Sequence, residues 1–152
     1  MIPSLSLNHK EGLSFVIIGD FGPMQDLSNA EKVFDSIAFM KNNADLDSPK
    51  NFDFFITVGD NIYPADEDYP TEEEFESMMN LFLDRPAIKD IPIYPVRGNH
   101  DCYFENEDLE LKLVFKYPTW QMPEYFMLRD FPINRYGDKF SLLQVDSCFL
   151  LC

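Results

Sequence analysis

The chain has 152 residues, which is enough for one domain with a hydrophobic core. Hydrophobic residues make up 45% and aromatic residues 15% of the sequence, so we expect a folded chain and not a disordered one. The formal net charge of −15 disfavours nucleic acids and anionic membranes as partners, because an acidic surface repels phosphate groups.

No targeting signal is visible at the N-terminus. Residues Met1–Leu7 lack the basic region and the long apolar region of a signal peptide. No run of about 18 apolar residues, the length that spans a membrane, occurs in the sequence. We expect residues 1–12 to form an extension and residues 13–152 to form part of one domain. The protein is then either cytosolic or secreted with a leader that this sequence does not include.

Three short apolar runs, each reaching a glycine at its end, predict buried strands over residues 13–19, 53–59 and 93–97. Between them, apolar residues recur at helical spacing. This spacing predicts a helix over residues 28–42 and a second helix that follows Thr71. The alternation of strands and helices is typical of an α/β fold with a mostly parallel sheet.

Two capping-box patterns indicate where these helices begin. Ser28 is followed three residues later by Glu31, and Thr71 is followed in the same way by Glu74. Both pairs can satisfy free backbone N–H groups at a helix start, so we expect both to cap.

The last part of the sequence has a different pattern. A weaker helix is expected over residues 109–115, and two strands are expected over residues 125–130 and 139–146. The polar segment 134–138 would connect the two strands as a turn.

The three cysteines are Cys102, Cys148 and Cys152. Their number is odd and their spacing does not match a zinc site. The sequence therefore predicts no disulfide framework within this chain.

Polar residues that can bind metal ions follow each of the three predicted parallel strands. The motifs are Gly19-Asp20-Phe21-Gly22, Gly59-Asp60-Asn61-Ile62-Tyr63 and Gly98-Asn99-His100-Asp101. The carboxyl ends of parallel strands meet at one edge of a sheet, where ligands bind in open α/β folds. We therefore expect the three motifs to lie close together.

The residue types in these motifs suit a centre with two metal ions. Aspartate can bridge two cations, and such a pair needs at least one bridging carboxylate, for which Asp60 in the middle motif is the natural candidate. A single Gly-Asp after a strand is more often a turn or a helix cap, and a single Tyr63 or His100 is more often a packing or loop residue. Three such motifs at successive strand ends favour a functional site.

The three motifs resemble those of the calcineurin-like metallophosphoesterases, which share GDxG, GDxxx and GNH[DE] blocks. Tyr63 narrows the resemblance to the purple acid phosphatases and their tartrate-resistant branch. Residues 120–126 and 143–147 are similar to that branch as well. The resemblance implies a four-layer αββα sandwich, of which this chain would supply an incomplete part. It also implies a secreted or lysosomal location.

The resemblance further implies a binuclear centre of Fe(III) and a divalent iron, zinc or manganese ion. By this likeness Asp20 and Tyr63 would bind the ferric ion, Asp60 would bridge the two ions and Asn99 would bind the divalent ion. His100 would contact the phosphate and protonate the leaving group, and Asp101 would orient His100. The implied substrate is a small phosphate monoester.

The family pattern continues with three more histidines, in a GHxP-like and a GHxH segment. This sequence has two histidines, of which His100 belongs to a motif and His9 precedes the first strand. We therefore expect the chain to be a fragment of a larger acid phosphatase.

Two alternatives stay open. The first is a catalytically inactive metallophosphoesterase-like protein that binds metal or a partner, which the missing histidines would favour if Cys152 were the true C-terminus. The second is a different metallophosphoesterase, such as a phosphodiesterase, against which Tyr63 argues.

Overall fold

The computed structural model describes residues 12–22, 27–45, 50–63, 71–102 and 109–148. Five strands, three α-helices and one 3₁₀ turn are found in these ranges. In chain order they are β1 (Phe15–Ile18), α1 (Ser28–Asn42), β2 (Phe54–Thr57), α2 (Glu72–Leu83), β3 (Ile93–Tyr94), the 3₁₀ turn His100–Cys102, α3 (Leu109–Lys112), β4 (Phe126–Pro132) and β5 (Lys139–Val145).

Strands β1, β2 and β3 form a parallel sheet in that order. Phe15 lies opposite Phe54 and Ile18 opposite Thr57, so β1 and β2 end at the same level. The expectation of an α/β fold with a parallel sheet is confirmed. Strand β3 is shorter than predicted because Pro95, which has no backbone N–H to donate, follows Tyr94.

Alternate side chains of β2 enter two different cores. Phe55 packs with helices α1 and α2, in a core rich in phenylalanine and methionine. Phe54 points to the other face of the sheet, where it stacks on Phe131 of β4 at 4.8 Å between ring centroids. The period of two along a strand gives this alternation, and the sheet is the middle of three layers.

Strands β4 and β5 form the third layer as an antiparallel hairpin. Its inner face carries Phe131 and Phe140 against the parallel sheet. Its outer face carries four exposed apolar side chains, which are Phe126, Leu128, Leu143 and Val145. The hairpin therefore buries one face against the parallel sheet and leaves an apolar surface exposed on its opposite face.

The two predicted capping boxes differ in outcome. Thr71 caps α2 as expected, because its hydroxyl accepts from the Glu74 N–H at 3.2 Å and its N–H donates to the Glu74 carboxylate at 2.7 Å. The box at Ser28 is not formed, so that prediction is wrong. Leu27 is the N-cap residue of α1, its carbonyl accepts from the Glu31 N–H, and no side chain caps the helix.

Within the parts of the chain that the structure describes, no helix is both long enough and apolar enough to cross a membrane.

Candidate metal and phosphate site

The loops that follow β1, β2 and β3 meet at the carboxyl edge of the sheet. Asp20 and Asp60 occupy matching places there, each directly after a glycine. Both have a left-handed backbone, with φ of 53° and 51°. Such angles are uncommon for residues other than glycine and cluster at functional sites. Here they turn two equivalent strand ends in the same way, and the Asp20 N–H donates to the Gly59 carbonyl at 3.3 Å.

Tyr63 places its phenol oxygen between the two aspartates. That oxygen lies 2.7 Å from Asp20 Oδ1 and 3.0 Å from Asp60 Oδ2. A phenol has a single proton, so it can donate fully to one carboxylate at a time. Burial, followed by the hydrogen bonds and negative charge of the two aspartates, raises the pKa of Tyr63. Two carboxylates and one phenol oxygen thus converge, and the single phenol proton does not balance the negative charge of the two carboxylates.

The third motif approaches this cluster through Gly98. A Cβ atom on Gly98 would collide with the backbone nitrogen and the carboxylate of Asp60. A Cβ on Gly59 would in turn lie 2.6 Å from the Gly98 Cα. Both glycines are needed because the second and third loops touch through their backbones.

His100 and Asn99 lie exposed beside the cluster. The His100 N–H donates to Asp60 Oδ1 at 3.1 Å, and its ring lies 4.7 Å from the ring of Tyr63. The structure thus brings Asp20, Asp60, Tyr63 and His100 together, with Asn99 next to His100 in the chain.

Asp101 faces away from this group, into the protein. It is 3% exposed, and its carboxylate accepts from the backbone N–H groups of Gly98, Asn61 and Ile62 at 2.7, 3.0 and 3.0 Å. Burial raises the pKa of Asp101 to about 6, although these hydrogen bonds oppose the rise. No hydrogen bond joins its carboxylate to the His100 imidazole within the described residues. Asp101 therefore holds the second and third loops together.

Sequence reasoning missed Asn61, which is fully buried. Its side-chain oxygen accepts from the Thr57 hydroxyl at 2.6 Å, and its amide nitrogen donates to the Val96 carbonyl at 2.8 Å. The same nitrogen lies 3.3 Å from Asp101 and 3.4 Å from Glu110. The only feature of the sequence that pointed to a role for Asn61 was its place inside the second motif.

A layer of charged side chains lies beneath the motifs. Arg97 donates to Asp146 at 2.5 Å in a buried ion pair and lies over the ring of Tyr125 at 4.4 Å. Glu110 of α3 is buried close by. Burial, followed by the negative charge of Asp101, raises the pKa of Glu110 well above its ordinary value. The layer therefore holds three carboxyl groups near one guanidinium.

A disulfide between Cys102 and Cys148 corrects the expectation drawn from the cysteine spacing. The two residues are 46 positions apart in the sequence, and their Cα atoms are 5.4 Å apart. The fold brings them together because the 3₁₀ turn after β3 and the end of β5 lie side by side. The bridge fastens the turn that carries His100, while Cys152 lies outside the described residues.

The donor set fits part of a metal centre. Two carboxylates and one phenol oxygen converge, and hard oxygen ligands of this kind suit highly charged cations. Among the described residues, no group of three or more histidine, cysteine, aspartate or glutamate side chains is placed to hold a metal ion. Asp20 and Asp60 form a group of three oxygen donors only when Tyr63 is included, because the Tyr63 oxygen contacts both carboxylates.

Comparison with known proteins agrees with this arrangement. Residues 13–148 match the calcineurin-like phosphoesterase family. The human tartrate-resistant acid phosphatase type 5 is 23% identical over 159 residues, which cover 99% of this chain and 45% of the relative. The rat protein of the same name is 26% identical and is matched over 41% of its length. Purple acid phosphatase 7 of Arabidopsis thaliana is 29% identical over 80% of this chain and 34% of its own length.

The chain thus spans less than half the length of these relatives. The family match covers all three motifs and extends through the hairpin. The chain belongs to the calcineurin-like phosphoesterase family, and it resembles the purple acid phosphatases within that family.

Proposed function

We propose that this chain carries the first part of the active site of an acid phosphatase that hydrolyses small phosphate monoesters at a binuclear metal centre. The observation that carries the proposal is the position of the Tyr63 oxygen, within 3.0 Å of carboxylates from two different strand ends. The named activity of the relatives supports the same reaction.

In this proposal Asp20, Asp60, Tyr63 and Asn99 would hold the metal ions, which are Fe(III) and a divalent iron, zinc or manganese ion. When bound, such ions supply the positive charge that an acidic protein needs in order to attract a phosphate ester and polarise its oxygens. The convergence of Asp20, Asp60 and Tyr63 supports the ferric position, and Asp60 lies between the first and third motifs as a bridge requires.

His100 is the proposed proton donor to the leaving-group oxygen. Its ring is exposed to an incoming substrate and lies against the ring of Tyr63. Its backbone N–H bond to Asp60 ties the turn that bears the imidazole to the carboxylate cluster. The carboxylate of Asp101, proposed from the motif to orient His100, would act through the backbone of the loop, because it accepts the N–H of Gly98.

The colour of the iron-loaded chain tests the proposal. A tyrosinate that binds Fe(III) gives a charge-transfer band in the visible range, so the purified chain with ferric iron should be coloured. Tyr63→Phe should abolish the band because it removes the phenol oxygen and leaves the ring. Tyr136→Phe is the matched control, since Tyr136 is 73% exposed in the turn between β4 and β5.

The proposal predicts a band in the wild type and in Tyr136→Phe, and none in Tyr63→Phe. A colourless wild type, or a band that survives in Tyr63→Phe, would count against the assignment of Tyr63 as an iron ligand.

A further inference from the structure

We propose that Asn61 is a positioning residue that sets the three motifs relative to one another, and this inference rests on the proposed function. Asn61 does not face the place where substrate would bind, because it is fully buried beneath the loops. Its role would be to keep Asp60 and the His100 turn in register.

The side chain of Asn61 joins segments that are distant in sequence. Its oxygen accepts from Thr57 at the end of β2, and its nitrogen donates to the carbonyl of Val96 after β3. The same nitrogen reaches Glu110 on α3 at 3.4 Å. A primary amide is suited to this place because it offers both an acceptor and two donor protons.

The backbone of Asn61 adds contacts to the other two motifs. Its N–H donates to Asp101 at 3.0 Å, as does the N–H of Ile62. Gly22 of the first motif lies so close that a Cβ atom there would collide with the Asn61 carbonyl. Asn61 thus touches the first and third loops while belonging to the second.

This arrangement controls the residues on either side of Asn61 in the chain. Asp60 precedes it with a left-handed backbone, a conformation that persists when the surroundings hold it. The carboxylate of Asp60 accepts the His100 N–H at 3.1 Å. If the amide of Asn61 is lost, both the Asp60 backbone and the Asp101-bound turn lose a common support, so the contact between Asp60 and His100 should loosen.

The test compares Asn61→Ala with a core variant that loses stability elsewhere. Met78→Ala is the control, because Met78 is fully buried in the core between the sheet and the helices. Zinc alone is titrated by calorimetry into the wild-type 152-residue chain and into each variant. The exchange rate of the His100 amide is then measured by NMR without metal, and it reports the hydrogen bond to Asp60 directly.

Asn61→Ala should raise the dissociation constant for zinc by about tenfold or more, as for other residues that orient metal ligands. It should also speed exchange of the His100 amide. Met78→Ala should leave both values near those of the wild type, since an exposed amide exchanges by local opening. If the two variants behave alike, Asn61 acts through general stability and the proposal is wrong.

The two readouts separate this inference from the proposed function. A wild type that does not bind zinc would count against the metal centre, and the His100 amide would then decide the role of Asn61 by itself. Faster exchange in Asn61→Ala alone would support positioning, and unchanged exchange would refute it.

Thr57→Val serves if Asn61→Ala does not fold. It removes the hydroxyl that bonds to Asn61 and keeps a similar shape, so it should shift both readouts in the same direction by a smaller amount. No shift in Thr57→Val would overturn the proposal.

Discussion

The interior between the parallel sheet and helices α1 and α2 is built mainly from phenylalanine, methionine and isoleucine side chains. The interior beneath the three motifs instead contains the carboxyl groups of Asp101, Glu110 and Asp146 and the guanidinium of Arg97. We call the first region the apolar core and the second the polar layer. Both regions are buried, but apolar packing stabilises the first, whereas hydrogen bonds and an ion pair connect the segments of the second.

The apolar core and the polar layer contribute to the structure in different ways. Apolar burial is non-directional and contributes about 25 cal/mol per Å² of buried surface, so it stabilises without fixing directions. Buried hydrogen bonds and ion pairs add little net stability, yet they are directional. The polar layer therefore suits the place where the backbones of three loops must be fixed beside a site.

The largest expected effect lies in the apolar core. Phe55→Ala should lower the free energy of unfolding by about 4 kcal/mol, because it removes a fully buried ring and leaves a cavity. Phe55 makes edge contacts with Phe52 and Phe82 at 5.1 Å between ring centroids. Urea unfolding measures the change. Phe115→Ala is the control, since Phe115 is 90% exposed and its removal should have little effect.

A somewhat smaller loss is expected in the polar layer. Arg97→Met keeps much of the side-chain volume but leaves Asp146 buried without its counter-charge, which should lower stability by about 3 kcal/mol.

Urea unfolding at neutral pH measures the loss of stability in Arg97→Met and in Phe55→Ala. Arg135→Met on the exposed turn controls for loss of one positive charge. An equal loss of stability in Arg97→Met and Arg135→Met would show that the buried ion pair with Asp146 does not govern this region.

Glu110→Gln should change stability in the opposite direction. The pKa of Glu110 is raised in the folded state, so the folded chain retains a proton that the unfolded chain releases as the pH rises past 4.5. The stability contributed at this position therefore falls as the pH rises from the ordinary pKa towards the raised folded pKa of Glu110, and it stays reduced above that folded pKa. Glutamine has no proton to release, so the variant should be more stable than the wild type near neutral pH.

The gain should vanish below the ordinary pKa of glutamate, where both states of the wild type are protonated. Thermal unfolding at neutral and acid pH measures it. Glu124→Gln makes the same chemical change at an exposed position and should produce no such difference. A loss of stability in Glu110→Gln at neutral pH would mean that the carboxylate form is needed.

The smallest effect is expected outside both regions. Thr71→Ala removes the capping box of α2 and should lower the free energy of unfolding by about 1 kcal/mol. Thr71→Ser keeps the hydroxyl and should retain most of the stability. Equal losses in the two variants would assign the effect to packing of the methyl group.

Local patterns in the sequence determined several features by themselves. Apolar periodicity located α1 at residues 28–42, where the structure has it, and strand ends marked by glycine located the three motifs. The alternation of strands and helices predicted that the sheet would be mostly parallel, but it did not predict the order of the strands. One local pattern misled, because Ser28 and Glu31 match a capping box although Leu27 is the N-cap residue. The pattern places the N-cap at Ser28, but in the structure Ser28 is already the first residue of the helix and the N-cap is one position earlier, at Leu27.

Only the tertiary structure decided which distant residues became partners. Cys102 pairs with Cys148, Arg97 with Asp146 and Asn61 with Asp101 across 46, 49 and 40 positions of sequence. No periodicity connects such pairs, because their contact depends on how the ends of β3 and β5 and the start of α3 come together. The sequence by itself thus determined where the motifs lie along the chain. The buried polar contacts beneath them, which form only when distant segments meet, decided how the motifs are held.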